Sequence, residues 1–369
     1  MPTADFELTV PTTMHAAVYK GDSVVAVEQV PTPEIGTGEM LIRVEACGVC
    51  HTDLKKIEHN LLAPPRIFGH ETAGVVARVG KGVRRFAPGD RVVVFHHIPC
   101  GDCFYCRKKL YAQCPVYKKV GVTAGFEPAG GGFSQYVRVM DWIVERGVEK
   151  IPDGISFERA SFVEPVNTCL KGVVQCAPQA GEVALILGQG PIGLLMTMLV
   201  RRTGAHVITT DMIPSRRALS LACGAEQSLD PIAGEVAASV AALTEGRGAD
   251  LVIVAASAKG IAEQAVRWSR AGARILLFAQ TSDAERVDFS GASICVGERT
   301  IFGSYSASVD LQKQSAELVF SGELPVDLLV SHQLPLAKIS SAFDLALHPD
   351  SAGDPIQLSR PVCAVFLPI

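Results

Sequence analysis

Residues 183–193 read VALILGQGPIG: an apolar run of strand character meets a G-x-G-x-x-G and continues as the helical pattern Pro191–Thr203. Few folds accept that succession. It is the first half of a βαβ unit, whose helix N-terminus turns free N–H groups and a positive dipole end towards an anion. Gly188 permits the tight turn, Gly190 lets the backbone approach a pyrophosphate, and Gly193 lets helix and strand pack closely. Pro191 and Ile192 complete this cofactor-binding turn. The next strand, His206–Thr210, runs into Asp211, about where a carboxylate grips the adenosine ribose hydroxyls. A carboxylate there repels a 2′-phosphate, so NAD is expected over NADP. Arg216, counted with the cofactor-binding positions, and Arg217 weaken that preference slightly. The competing reading is an ordinary glycine turn.

The alternation continues. Leu251–Ala255 and Arg274–Ala279 read as strands, with a helix near Ala262–Trp268. A strand Thr300–Gly303, a helix near Leu311–Phe320 and the helix-like Ile339–Leu347 follow, while 362–367 alternates less clearly. This order predicts an α/β chain with a doubly wound parallel sheet covered by helices. The first third differs: Met40–Glu45, Thr72–Val79 and Arg91–Phe95 alternate as short half-buried strands, separated by turns such as Pro88-Gly89-Asp90. Near residue 151 the character changes. Pro152-Asp153-Gly154 is a turn, Ser156 a helix N-cap, and Glu164-Pro165 the start of a further helix with Pro165 at its first position. Met14 opens the first strand-like pattern, which leaves residues 1–13 as an extension or a misassigned start. A length of 369 residues suggests two domains.

Apolar residues make up 48% of the chain and charged residues 20%, a globular balance. A net charge of −4 without a basic cluster argues against a nucleic-acid partner. The N-terminus lacks the basic-then-apolar pattern of a signal peptide, and the longest apolar run, Ile192–Val200, is too short to cross a bilayer. A cytoplasmic protein is expected, with no membrane partner and with thiols kept reduced.

Four of the eleven cysteines, Cys100, Cys103, Cys106 and Cys114, crowd into one loop with spacing C-x2-C-x2-C-x7-C. Disulfides are disfavoured in a reducing compartment. A tetrahedral thiolate site for structural zinc suits the spacing. An iron–sulfur cluster is the rival, since Pro115 follows the last cysteine as in ferredoxins, but the final gap is longer and no second cluster motif appears. Two further segments, CGVCHTD with Cys50 and GHETAGVV with His70 and Glu71, offer a thiolate, an imidazole and a carboxylate. Catalytic zinc takes three such ligands and keeps one position open. Spacing alone does not join residues so far apart. Cys47, Cys169, Cys176, Cys223, Cys295 and Cys363 read as buried thiols.

GHE at Gly69–Glu71, the Pro88–Val92 segment PGDRV, the four-cysteine lobe and the G-x-G-x-x-G, in this order, resemble the zinc-containing medium-chain dehydrogenase/reductase family. The resemblance runs from about Met14 to the end. It implies a GroES-like catalytic domain (residues 1–157 and 303–369, with the zinc lobe at about 97–117) interrupted by a Rossmann NAD-binding domain (158–302), and an active site in the cleft between them. It implies two zinc ions per chain. Cys50 and His70 match the first two ligands of the catalytic zinc, and Glu71 a carboxylate that ligates it or exchanges with water. Glu164 stands where the alcohol dehydrogenases place a cysteine ligand and the polyol and threonine dehydrogenases a glutamate, so either Glu71 or Glu164 is the third ligand. Thr52 matches the hydroxyl that receives the substrate proton, His51 a pyrophosphate contact, and Thr168 a residue packed near the nicotinamide. Many relatives carry a histidine three positions after the hydroxyl. Lys55 stands there here, so the proton relay ends at water, the ribose hydroxyls or His51.

His96, four residues before the first lobe cysteine, occupies a position where relatives often place an apolar substrate-pocket residue. It is expected either to hydrogen-bond a substrate hydroxyl or to be a strand-end histidine satisfied by backbone. The resemblance implies NAD-dependent oxidation of a secondary alcohol to its ketone. The carboxylate-containing zinc shell and His96 favour a polyol, sugar alcohol or cyclitol, with threonine-type and simple alcohols as alternatives. A non-catalytic NAD-binding protein of the same fold is a further alternative. Relatives form homodimers or homotetramers, and the same is expected here.

Overall fold

The computed structural model of the chain describes residues 9–117, 130–279 and 286–347 and the backbone of 364–367. Their contacts divide into two units. One runs to Glu164 and resumes at Ser308; the other spans Pro165–Ala307. Both crossings lie a few residues beyond the expected 157/158 and 302/303. The helix Phe157–Ser161 packs on the strands Met40–Gly48 and Glu71–Val79, which keeps it with the first unit. Lys171 Nζ donates to the Tyr305 carbonyl at 2.7 Å, which holds that turn in the second.

The first unit is β-rich. Thr13–Gly21 pairs antiparallel with Val24–Pro31 and with Arg66–Ile67. A larger sheet places Met40–Gly48 beside Glu71–Val79, followed by Arg91–Val94 and Val148–Lys150, all antiparallel. Tyr136–Val139 also pairs with Met40–Gly48, as does the backbone of Ala364–Leu367. Met40–Gly48 is buried almost throughout, so it forms the centre of the sheet. Its register against Glu71–Val79 sets Gly48 opposite Glu71. Chain leaving one strand and chain entering the other therefore meet at one end of the sheet, and Cys50 comes beside His70.

Glu39, just before the central strand, is buried and takes a two-pronged bond from Arg138: Nε donates to Oε2 at 2.8 Å and Nη2 to Oε1 at 2.7 Å. Burial pushes the Glu39 carboxyl up, but Arg138 and the Gly36 N–H outweigh it and hold it below its ordinary 4.5. Stability from such a group is full above the unfolded value and is lost as pH falls through the lower folded value. Glu39→Gln is expected to cost about 1–3 kcal/mol at neutral pH. In urea unfolding, the gap between variant and native protein should close as pH falls below about 4.

The second unit carries six parallel strands in the order Gln227–Leu229, His206–Thr210, Val183–Leu187, Ala249–Val254, Ser269–Leu277, Thr300–Gly303. Val183–Leu187 is buried at every position, as a strand covered on both faces must be. The order reverses at this strand, and in such sheets ligands bind outside the strand ends at that reversal. The helix Val163–Cys176 begins before Glu164, so Pro165 is its third residue rather than its first; all the N–H groups of a first turn are free, and proline is tolerated there. Ser156 caps its helix, accepting from the Arg159 N–H at 3.1 Å. Cys295 is a correction. It ends the short helix Gly291–Cys295, none of whose residues is buried, and it is exposed. Cys47, Cys169, Cys176 and Cys223 are buried, and Cys363 lies outside the described residues. No helix among the described residues is long and apolar enough to cross a membrane.

Candidate active site

The four lobe cysteines converge, with their sulfurs within 4.8 Å of one another. Cys100 and Cys106 Sγ stand 3.8 Å apart and Cys103 and Cys106 Sγ 3.5 Å apart. Thiolates bound tetrahedrally at Zn–S of about 2.3 Å stand about 3.8 Å apart, so the donor set fits one zinc ion. The Cys103 N–H points at Cys100 Sγ and the Cys100 N–H at Cys114 Sγ, both at 3.4 Å. N–H groups of Asp102 and Cys103 pull the Cys100 thiol down to about 6, towards the form that ligates metal. Every described cysteine is free of a disulfide.

The second cluster lies at the sheet end where Cys50 and His70 meet. Cys50 is the N-cap of the helix His51–Glu58, and its sulfur accepts from the Thr52 N–H at 3.4 Å. The Cys50, His70 and Glu71 donor atoms lie within 4.8 Å of one another, and His70 and Glu71 are buried. Glu71 reaches in because its cross-strand partner is glycine: a Cβ on Gly48 would sit 1.8 Å from Glu71 Oε2. Glu164, also buried, is outside that three-residue group. A soft thiolate, an imidazole and a carboxylate together suit a catalytic zinc.

Asp53, one helical turn after Cys50 and fully buried, was not singled out from sequence. Its Oδ1 lies 3.1 Å from His70 Nδ1, which fixes the ring and leaves Nε2 for a metal. The place of Asp53 in the sequence, just after CHT, does not reveal this role, because the contact with His70 is non-local. Burial disfavours a charged His70, but Asp53 and the Cys50 thiolate outweigh it and push its pKa well above the ordinary value. Burial and the neighbouring Glu164 push Glu71 up to about 8, and burial raises Cys50. These buried groups crowd negative charge, and a divalent cation among them relieves it.

His96 is 4% exposed, with its ring 5.5 Å from that of His70 and 4.6 Å from that of His97. Its Nδ1 is 3.4 Å from Glu164 Oε1 but off the hydrogen-bonding direction, so this buried nitrogen has no hydrogen-bond partner. No backbone group bonds this nitrogen. Burial, reinforced by His97, His70 and Lys56, pushes its pKa well below the ordinary value and keeps the ring neutral. Thr52 is half-buried and His51 exposed on the first turn of their helix, and Lys55 is half-buried one turn on.

In the second unit, Gly188 has φ +92°, which glycine alone adopts without strain. A Cβ on Gly193 would lie 1.9 Å from the Gly188 carbonyl, so turn and helix meet at that point. A Cβ on Gly190 would meet nothing within 4 Å. Packing does not require a glycine there, and the backbone stands open on that side. Gly190 precedes the helix Pro191–Arg201, with Pro191 and Ile192 in its first turn. Asp211 Oδ2 accepts from the Gln189 N–H at 2.7 Å and Oδ1 from the Ile213 N–H at 2.9 Å, so the carboxylate is pinned at its strand end. Arg216 Nη1 is 3.9 Å from it, and Arg217 bonds the Asp211 carbonyl. Thr168 is half-buried on the helix Val163–Cys176. The turn and carboxylate fit a dinucleotide.

Residues 36–153 match the alcohol dehydrogenase GroES-like domain, and residues 191–321 the zinc-binding dehydrogenase domain. The chain is 32% identical to L-threonine 3-dehydrogenase of Pyrococcus furiosus over 325 residues, covering 86% of this chain and 90% of that one. It is 29% identical to sorbitol dehydrogenase of Bacillus subtilis over 345 residues, covering 92% and 95%. A crystal structure from Sinorhizobium meliloti 1021, assigned as a zinc-binding dehydrogenase and bound to NADP, superposes with a TM-score of 0.85 at 30% identity, covering 97% and 100%. The chain belongs to the zinc-containing medium-chain dehydrogenase/reductase family. It is an oxidoreductase acting on alcohols and ketones, with zinc and a nicotinamide dinucleotide as its cofactors.

Proposed function

We propose that the chain oxidises a secondary alcohol of a polyol, sugar alcohol or cyclitol reversibly to the ketone, with NAD as hydride acceptor. The convergence of Cys50, His70 and Glu71 carries this reading. These three would hold the catalytic zinc, and the four lobe cysteines a structural one. A catalytic zinc supplies Lewis acidity that lowers the pKa of a hydroxyl oxygen and stabilises negative charge on it. Glu71 takes the third ligand seat, and Glu164 remains a nearby carboxylate beside His96. Asp53 orients His70. Thr52 takes the substrate hydroxyl proton, and with Lys55 in place of a relay histidine that proton leaves through water, the ribose hydroxyls or His51. His51 contacts the pyrophosphate, and Thr168 packs by the nicotinamide. Asp211 hydrogen-bonds the adenosine ribose.

His96 presents an unsatisfied buried nitrogen to a substrate hydroxyl. A neutral ring can donate or accept, which suits a substrate rich in hydroxyls. His96→Phe should lower kcat/KM for a polyol roughly tenfold relative to a simple secondary alcohol. Unchanged discrimination in steady-state assays would remove His96 from the pocket.

The experiment is a panel of polyols, inositols and threonine assayed with NAD by NADH formation. Turnover of a polyol or cyclitol is expected. Threonine alone as substrate would support the second reading, which the Pyrococcus furiosus relative favours. For the cofactor, Asp211→Ser removes the charge that repels a 2′-phosphate and leaves Arg216 beside it. The NADP-to-NAD ratio of kcat/KM should rise roughly 10–100-fold. Free cysteines throughout the described residues support a cytoplasmic setting. A homodimer or homotetramer completes the proposal, with sedimentation velocity as its test.

A further inference from the structure

Gln189 is the residue between the first two glycines of the turn, and its side chain faces away from the open side. It is fully buried, whereas the Cβ direction at Gly190 is empty. Its Nε2 donates to the Gly188 carbonyl at 2.9 Å. The Thr197 hydroxyl shares its one proton between Gln189 Oε1 at 3.0 Å and the Gly193 carbonyl at 2.9 Å. Thr197, also fully buried, is two helical turns into Pro191–Arg201. The backbone N–H of Gln189 meets Asp211 Oδ2 at 2.7 Å. One residue thus ties together the turn, the helix behind it and the ribose carboxylate.

We propose that Gln189 and Thr197 form a positioning clamp that presets the dinucleotide turn and Asp211 together. The inference rests on the reading of this turn as the dinucleotide site and adds residues that do not touch the ligand. The Gly188 carbonyl is drawn inward, against Gly193 Cα on one side and the Gln189 amide on the other. With that carbonyl turned in, the N–H groups at the helix start remain aimed outward at a pyrophosphate. The Gly188 carbonyl and the Gln189 N–H share one peptide plane, so fixing the carbonyl also sets the direction of that N–H, which donates to Asp211 Oδ2. Removing the Thr197 hydroxyl leaves Oε1 as a buried acceptor without a donor, and the side chain must turn to find another. Turn and carboxylate then lose their fixed relation, and the ligand has to restore it on binding.

Thr197→Val keeps the shape and removes the hydroxyl; Thr197→Ser keeps the hydroxyl. Gln189→Met removes both side-chain hydrogen bonds at similar length. Binding of ADP-ribose, which carries the adenosine ribose and the pyrophosphate without the nicotinamide, is read by calorimetry. Melting temperature and steady-state kinetics are measured on the same samples. Thr197→Val and Gln189→Met should each raise the ADP-ribose Kd and the KM for NAD roughly tenfold, with kcat unchanged. Thr197→Ser should restore native binding, and the double variant Gln189→Met/Thr197→Val should bind as weakly as either single one. An unchanged Kd, with or without a lower melting temperature, overturns the clamp, as does additive loss in the double variant. Failure of the native protein itself to bind ADP-ribose overturns the dinucleotide reading and the clamp with it, so the two failures are distinguishable.

Discussion

Cys50→Ser should lower kcat/KM for the best alcohol by about 10³-fold or more while the lobe keeps its zinc. The loss follows from the geometry. Cys50 supplies the sole thiolate of the second cluster, and His70 and Glu71 are the other two donors. A metal that polarises a hydroxyl oxygen is worth several kcal/mol of charge stabilisation, and each 1.36 kcal/mol is tenfold in rate. Serine is a far weaker zinc ligand than thiolate. Zinc analysis should therefore show one equivalent lost and one retained. The fold should persist, because Cys50 caps a helix that a serine oxygen also caps. Dinucleotide binding should be largely retained, because the turn and Asp211 belong to the other unit and the serine cap keeps the helix that carries His51. Full activity in Cys50→Ser would exclude the cluster from catalysis.

Gly193→Ala should be the most damaging single methyl in the second unit. Its Cβ would fall 1.9 Å from the Gly188 carbonyl, a backbone atom that cannot swing aside. Either the helix Pro191–Arg201 lifts from the sheet or the turn deforms. A cost of about 3 kcal/mol or more in stability is expected. NAD affinity should fall roughly 100-fold, since the pyrophosphate depends on that turn. Gly190→Ala is the informative contrast. No protein atom lies within 4 Å of its Cβ, so the melting temperature should hold while NAD binding weakens. Equal melting temperatures and equal NAD affinities for both variants would contradict the assignment of the turn.

Much of this architecture is legible in the residue pattern. The strands Val183–Leu187, His206–Thr210 and Thr300–Gly303 and the helix Ile339–Leu347 occur where periodicity places them. Long apolar stretches bounded by glycine leave little choice. The strand Gln227–Leu229 and the helix Pro214–Ala222 were not among those expectations: the first is a half-buried three-residue edge strand with too few residues to show a period, and the second is a short helix that buries only Ser220. The turn motif was readable because its glycines are sterically required within one local segment. The meeting of Cys50 with His70 was not, because it depends on the register of Gly48 against Glu71, a non-local pairing. The family resemblance supplied that pairing as an expectation. Asp53, Gln189 and Thr197 lie beyond both routes. Each acts by orienting another group, and only the distances expose them.

Anomalous diffraction at the zinc edge from crystals of the native protein tests the central claim most directly. Two peaks are expected. One lies among the sulfurs of Cys100, Cys103, Cys106 and Cys114. The other lies about 2.3 Å from Cys50 Sγ and about 2.0–2.1 Å from His70 Nε2, with a Glu71 oxygen as third ligand. A single peak in the cysteine lobe, with Cys50 and His70 bare in zinc-replete protein, would contradict it.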